Sequence, residues 1–133
     1  MSKRTAAVLA IVAGLVAAPI AFAKIARNTI DTVAVVTENG RHVVVTGPLE
    51  CTLGERVYLS VTVTQRTTGA IAAGRGFVIC TGDEQAWGVD AAVQGRETFE
   101  VGAATAVAVE RSVARGDTTD AHQWLVPITL IGE

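Results

Sequence analysis

Between Arg56 and Gln65 every second residue is aliphatic: Val57, Leu59, Val61 and Val63 alternate with Tyr58, Ser60, Thr62 and Thr64. A period of two fits a strand that turns one face to a core and the other to water. On a helix the same four aliphatics would be spread around the cylinder and would bury nothing together. This segment commits the chain to a sheet with one buried face, and the rest of the sequence has to supply the walls that cover it.

Most of the remaining sequence reads the same way. Thr29 to Thr37 is β-branched and apolar, and Asn39-Gly40 separates it from a return strand at His42–Thr46, which is a two-residue hairpin signal. Gly47-Pro48 is expected to interrupt that strand at a bulge or an edge. Thr67-Thr68-Gly69 is a turn, Ala70 to Cys80 a strand loosened by Gly74 and Gly76, and Gln85 to Asp90 a short strand carrying Trp87. Gln94 to Glu97 reads as loop and Thr98 to Val101 as a brief strand. Ala104 to Val113 has alanines that suit a helix, but Thr105, Val107 and Val109 recur at spacing two and no N-cap is present, so it reads as a strand. Arg115 to Ala121 is a polar turn region. His122 to Ile131 closes the chain with Trp124, Val126, Ile128 and Leu130 on one face, and Pro127 there implies an edge or a bulge. About seven short strands with turns between them predict an all-β fold, an antiparallel sandwich or barrel. Residues 24–28 read as a loose arm.

The first 23 residues belong to a different object. Met1-Ser2-Lys3-Arg4 is a basic start, Ala6 to Phe22 an apolar run, and Ala21-Phe22-Ala23 a small-x-small cleavage pattern. These are the three regions of a secretory signal. The run falls short of the roughly 20 apolar residues of a spanning helix and contains Gly14 and Pro19. The expected product is therefore a secreted domain at 24–133. Lys3 and Arg4 leave with the signal, so 9 of the 11 basic residues remain against 13 acidic ones, a net charge of −4. Such a balance offers no general attraction to nucleic acid or to an anionic membrane. An exported chain with two cysteines, Cys51 and Cys80, is expected to join them in a disulfide.

An ordered set of short motifs carries a resemblance. Cys51-Thr52-Leu53-Gly54-Glu55 leads into Leu59–Gln65, Cys80-Thr81-Gly82 is followed by Trp87, Phe99 stands ahead of Gly102-Ala103-Ala104, and Asp120 precedes Gln123-Trp124. The pattern resembles small secreted actinobacterial proteins of an uncharacterised family with a predicted immunoglobulin-like β-sandwich. The resemblance implies such a sandwich over nearly the whole of 24–133, and brings no activity or catalytic residues. The chain departs from antibody domains, in which the Trp lies between the two cysteines; here Trp87 follows both.

No catalytic constellation stands out. His42 and His122 are far apart, and Asp117 and Asp120 beside His122 do not make a ligand set, so no metal and no cofactor are expected. Asp83, Glu84 and Asp90 lack the acidic spacing of calcium loops. Arg115-Gly116-Asp117 spells an integrin-type tripeptide but is ordinary turn chemistry. Ser60 and Ser112 have no Gly-x-Ser-x-Gly context, and Gly74-Arg75-Gly76 is not followed by a helix. The expectation is a non-enzymatic extracellular binding or structural module whose partner is a protein, a glycan or a small molecule. Trp87, Trp124 and Tyr58 are the candidate ligand contacts, Tyr58 because it lies on the polar face of its strand. A small-molecule or carbohydrate carrier with a pocket near Trp87 or Trp124 is the alternative, and a secreted enzyme would need His42 or His122 to meet a nucleophile or carboxylate. The targeting reading makes a direct prediction: N-terminal sequencing of protein from the culture medium begins at Lys24, and recovery of an intact Met1 terminus in the membrane fraction would contradict it.

Overall fold

The computed structural model describes residues 27–133, so the expected signal segment at 1–23 lies outside the described residues. Apart from a 3-10 turn at Glu38–Gly40, every regular element among them is a strand: β1 (Arg27–Asn28), β2 (Val33–Thr37), β3 (His42–Glu50), β4 (Arg56–Thr64), β5 (Ile71–Ile79), β6 (Glu84–Val93), β7 (Gly102–Ala114) and β8 (Asp117–Gly132). Strands β2 to β8 form a closed ring in the order β3-β2-β8-β7-β4-β5-β6, and β6 pairs back onto β3. All seams are antiparallel except β2–β8, which is parallel.

The expected all-β fold is present, and where the resemblance implied a sandwich the sheet closes into a seven-stranded barrel. Its closure depends on two short seams. At one, β2 holds β3 through Val35 opposite Val44 and β8 through Val35 opposite Ile131. At the other, β5 meets β6 only at Ala72 opposite Val93 and Ala73 opposite Ala92. Because both corners are short, β8 before Thr129 and β5 after Ala73 are hydrogen-bonded to a neighbouring strand on one side only.

The interior follows from the β4 alternation. Val57, Leu59, Val61 and Val63 are all buried, and their register neighbours on both sides are mostly small: Gly76, Gly74 and Ala72 on β5, Ala108 and Ala106 on β7. Large residues on the central strand and small ones beside it fill a narrow barrel without a void. Gly74 is required for a further reason, since a Cβ there would stand 2.9 Å from Val89 Cγ1 and closer still to the Asp90 carbonyl, so only glycine lets β5 approach β6. The opposite wall is Val43, Val45 and Leu49 of β3 with Trp87 and Val89 of β6.

Both strand prolines are accommodated without a break. β3 runs through Gly47-Pro48. The Thr46 carbonyl accepts from Asp31 N–H at 2.9 Å, so even-numbered residues of β3 turn their polar groups away from β6. Pro48 therefore directs its missing donor into the gap between β2 and β1, where no ladder runs. Pro127 uses the same solution on β8: Thr129 N–H donates to Thr32 O at 2.8 Å, and β2 pairing starts only at Thr129. The irregularity in the β7–β8 ladder lies instead at Ser112/Val113.

Other boundaries also differ. The Asn39-Gly40 hairpin exists, but Thr37 pairs with His42, which leaves a four-residue connection, with Glu38, Asn39 and Gly40 all at positive φ. The arm expected at 24–28 is in part a strand, with Arg27 and Asn28 opposite Glu50 and Leu49. Residues 98–101 form no strand; Phe99 is buried there and its N–H donates to Gly40 O at 2.9 Å. The turn expected over Arg115–Ala121 is only Arg115-Gly116, and β8 begins at Asp117.

Cys51 and Cys80 form the expected disulfide, with Cα atoms 5.5 Å apart. It joins the residue after β3 to the residue after β5, the two strands that flank β6. That is the end of the barrel where β5 has no ladder to β6, so the bridge replaces a seam that hydrogen bonds do not make. Cys80 N–H also donates to Glu55 O at 2.8 Å, and Gly54 N–H to Cys80 O at 2.9 Å. Replacing both cysteines by alanine is expected to cost about 3–4 kcal/mol, from the loop of roughly 30 residues that the bridge closes. Chemical denaturation of the variant checks this, and thiol titration of the folded wild type should find no free thiol.

Candidate functional site

The outer surfaces of the barrel differ sharply. On the β3–β6 side the outward residues include His42, Glu50, Glu84 and Asp90, and His42 Nδ1 lies 2.9 Å from Asp90 Oδ1. On the β5-β4-β7-β8 side the outward positions are the odd residues of β5, β7 and β8 from Ala121 on, and the even residues of β4. These positions hold three arginines, Arg56, Arg75 and Arg111, and no Asp or Glu. Among the described residues none of the three arginines pairs with a carboxylate.

The apolar residues of this face are equally one-sided. Phe77 is 56% exposed, Leu125 68% and Tyr58 37%. Of the ten large apolar side chains left exposed among the described residues, seven lie on this side of the barrel, and Val33, Leu53 and Val101 lie elsewhere. Register explains how they meet. Tyr58 is directly opposite Phe77 on β5 and Arg111 on β7. The two rings are tilted with centroids 6.1 Å apart, the Arg111 guanidinium stands 5.2 Å from the Tyr58 centroid, and that of Arg56 stands 5.5 Å from the Phe77 centroid. Stacking on a ring holds a guanidinium in place and leaves its N–H edge to the solvent. A depression of about 360 Å³ opens beside the cluster, walled by Tyr58, Ser60, Arg75, Val109, Arg111 and Ala121.

Of the three candidate contacts, Tyr58 is in this cluster and the two tryptophans are not. Trp87 is 2% exposed and packs over Gly47, where a Cβ would sit 2.7 Å from two of its ring carbons. Trp124 is half-buried on the inner side of β8, its ring 5.1 Å from that of His122. Neither lines the depression. His122 bonds Asp120 at 3.0 Å, and His42 bonds Asp90. No group of three or more metal-ligating side chains occurs among the described residues. The Arg115-Gly116-Asp117 tripeptide is the β7–β8 turn, with Arg115 at φ 53° and Gly116 at φ 83°. Ser60 is exposed on the arginine face, and Ser112 is buried with its Oγ unpartnered.

Two features escaped the sequence reading. The arginine–aromatic cluster is assembled from positions up to 55 apart in sequence, between Arg56 and Arg111, and only the strand register shows it. The other is Glu110. It continues the inward series Ala104, Ala106, Ala108 on β7, is 0% exposed, and neither carboxylate oxygen has a hydrogen-bond partner. Burial pushes its carboxyl up from 4.5 to about 8, so it is a neutral acid at pH 7.

Comparison with known proteins adds little. No family model matches the chain, and no curated protein matches it. Two solved structures of a glycosyl hydrolase family 2 member from Bacteroides cellulosilyticus are similar at a TM-score of 0.42 and 11% identity, over 80% of this chain. The chain spans only 15% and 13% of those proteins. A likeness at this level assigns neither fold nor chemistry.

The Glu110 environment predicts a pH dependence of stability. Between about pH 4.5 and 8 the folded chain keeps this proton while the unfolded chain has lost it, so stability falls as pH rises through that window. Its share comes to about 4 kcal/mol between pH 4 and pH 8. Denaturant titrations across that range should show the decline in wild type and its absence in Glu110→Gln; equal slopes would refute the assignment.

Proposed function

We propose that this chain is a secreted, non-enzymatic binding module of immunoglobulin-like topology that engages its partner through the outer face of β5-β4-β7-β8. The observation that carries the reading is the segregation on that face: seven of the ten exposed large apolar side chains, three arginines with no carboxylate partner among the described residues, and no acidic residue. Contiguous exposed apolar surface on a small soluble domain marks an interaction site. Arg and Tyr are enriched among the residues that dominate binding energy. The order β8-β7-β4-β5 against β3–β6 supports the immunoglobulin-like assignment, because it follows the G-F-C-C′ and B–E neighbours of that fold. The disulfide fits an oxidising compartment. No helix among the described residues is long and apolar enough to cross a membrane. The binding reading is also favoured over an enzymatic one because the Glu110 carboxyl, which burial holds protonated, has no solvent-exposed surface.

The test is a paired capture from the culture supernatant of the source cells. Wild type and a Glu84→Ser/Asp90→Ser variant of the opposite face should retain the same species, and Phe77→Ser/Arg111→Ser should lose it. All these positions are exposed, and thermal melting of each variant checks that it remains folded. Retention by the Phe77/Arg111 variant, or loss by the Glu84/Asp90 variant, would overturn the assignment of the face.

A further inference from the structure

We infer that the partner of this face is a protein segment in which apolar side chains are flanked by carboxylates. This rests on the reading of the face as a binding surface and goes on to specify what it binds. Arg56, Arg75 and Arg111 are spread over three adjacent strands, and every outward carboxylate of the chain lies elsewhere. A domain whose net charge after signal removal is −4 has nonetheless cleared one face of negative groups. Burying that face against another protein leaves each guanidinium in need of an acceptor, and a carboxylate meets it with two parallel hydrogen bonds.

The aromatic geometry separates a peptide from a glycan. A sugar binds an aromatic platform through an open ring face, but Tyr58 has Arg111 over its ring and Phe77 has Arg56 over its ring. What remains open is aliphatic or edge surface: Ile79 at 55% exposure, Val109 and Leu125. Branched apolar surface of this kind matches side chains such as Leu and Phe, and the depression of about 360 Å³ between Arg75 and Arg111 has room for one of them. A symmetric pair of this chain joined face to face would bring the arginines of one copy against those of the other, so charge opposes that arrangement.

The probes are three synthetic twelve-residue peptides that alternate Leu or Phe with Glu, with Gln or with Lys, together with low-molecular-weight heparin. Binding to the full mature domain is measured by isothermal titration. The Glu peptide is expected to bind, the Gln peptide about tenfold more weakly, and the Lys peptide not at all. Arg75→Gln/Arg111→Gln should weaken the Glu peptide by at least about tenfold, and raising salt from 0.05 to about 1 M should weaken it further. Thermal melting checks that the variant is folded. The inference is overturned if the Glu peptide fails to bind, if heparin binds at these arginines and the peptide does not, or if sedimentation shows the free domain pairing through this face. If the Glu peptide fails while Phe77→Ser/Arg111→Ser still abolishes capture from the supernatant, the partner chemistry is wrong and the binding face stands.

Discussion

The structure depends on the fit between one strand of large aliphatics and two flanking strands of small residues. Val57, Leu59, Val61 and Val63 fill the barrel only because β5 presents Gly76, Gly74 and Ala72 beside them and β7 presents Ala108 and Ala106. A larger residue at Gly74 would push β5 away from β6 and open the shorter of the two closing seams. The disulfide acts on the same corner from its other end. Filling, closure and cross-link are thus three parts of one constraint.

That constraint also decides what the outside looks like. β4 and its neighbours put their inward positions entirely at the disposal of the core, so their outward positions are free to carry arginine, tyrosine and phenylalanine. The proposed contact uses side chains on a face and not the strand edges that β5 and β8 keep beside the two short corners. Residues far apart in sequence become cross-strand neighbours there, and the Tyr58–Phe77–Arg111 group is held by main-chain pairing on a closed barrel. Contacts presented on such a scaffold lose little conformational freedom on binding.

Much of the fold was legible from local chemistry. The β4 alternation, the hairpin at Asn39-Gly40 and the Cys51–Cys80 bridge are all found, because each depends on residues adjacent in sequence or on a count of two. The facing of β7 was not legible. Thr105, Val107 and Val109 mark the strand by their spacing, but it is Ala104, Ala106 and Ala108 that lie inside, beside the large side chains of β4. Both faces of β7 are apolar enough that pattern alone does not choose between them. Glu110 was hidden by the same ambiguity. Closure of the ring, the placement of Pro48 and Pro127, and the gathering of Arg56, Arg75 and Arg111 all depend on which strands pair, which is a property of the whole chain.

One face of this barrel, β5-β4-β7-β8, is proposed to recognise a partner. Backbone amide chemical shifts of the labelled domain, followed while the Glu-bearing peptide is titrated in, map the contact residue by residue. The largest shifts are expected on Tyr58, Ser60, Arg75, Phe77 and Arg111, with β3 and β6 unmoved. Shifts centred on His42, Glu84 and Asp90, or spread evenly over the barrel, would contradict it.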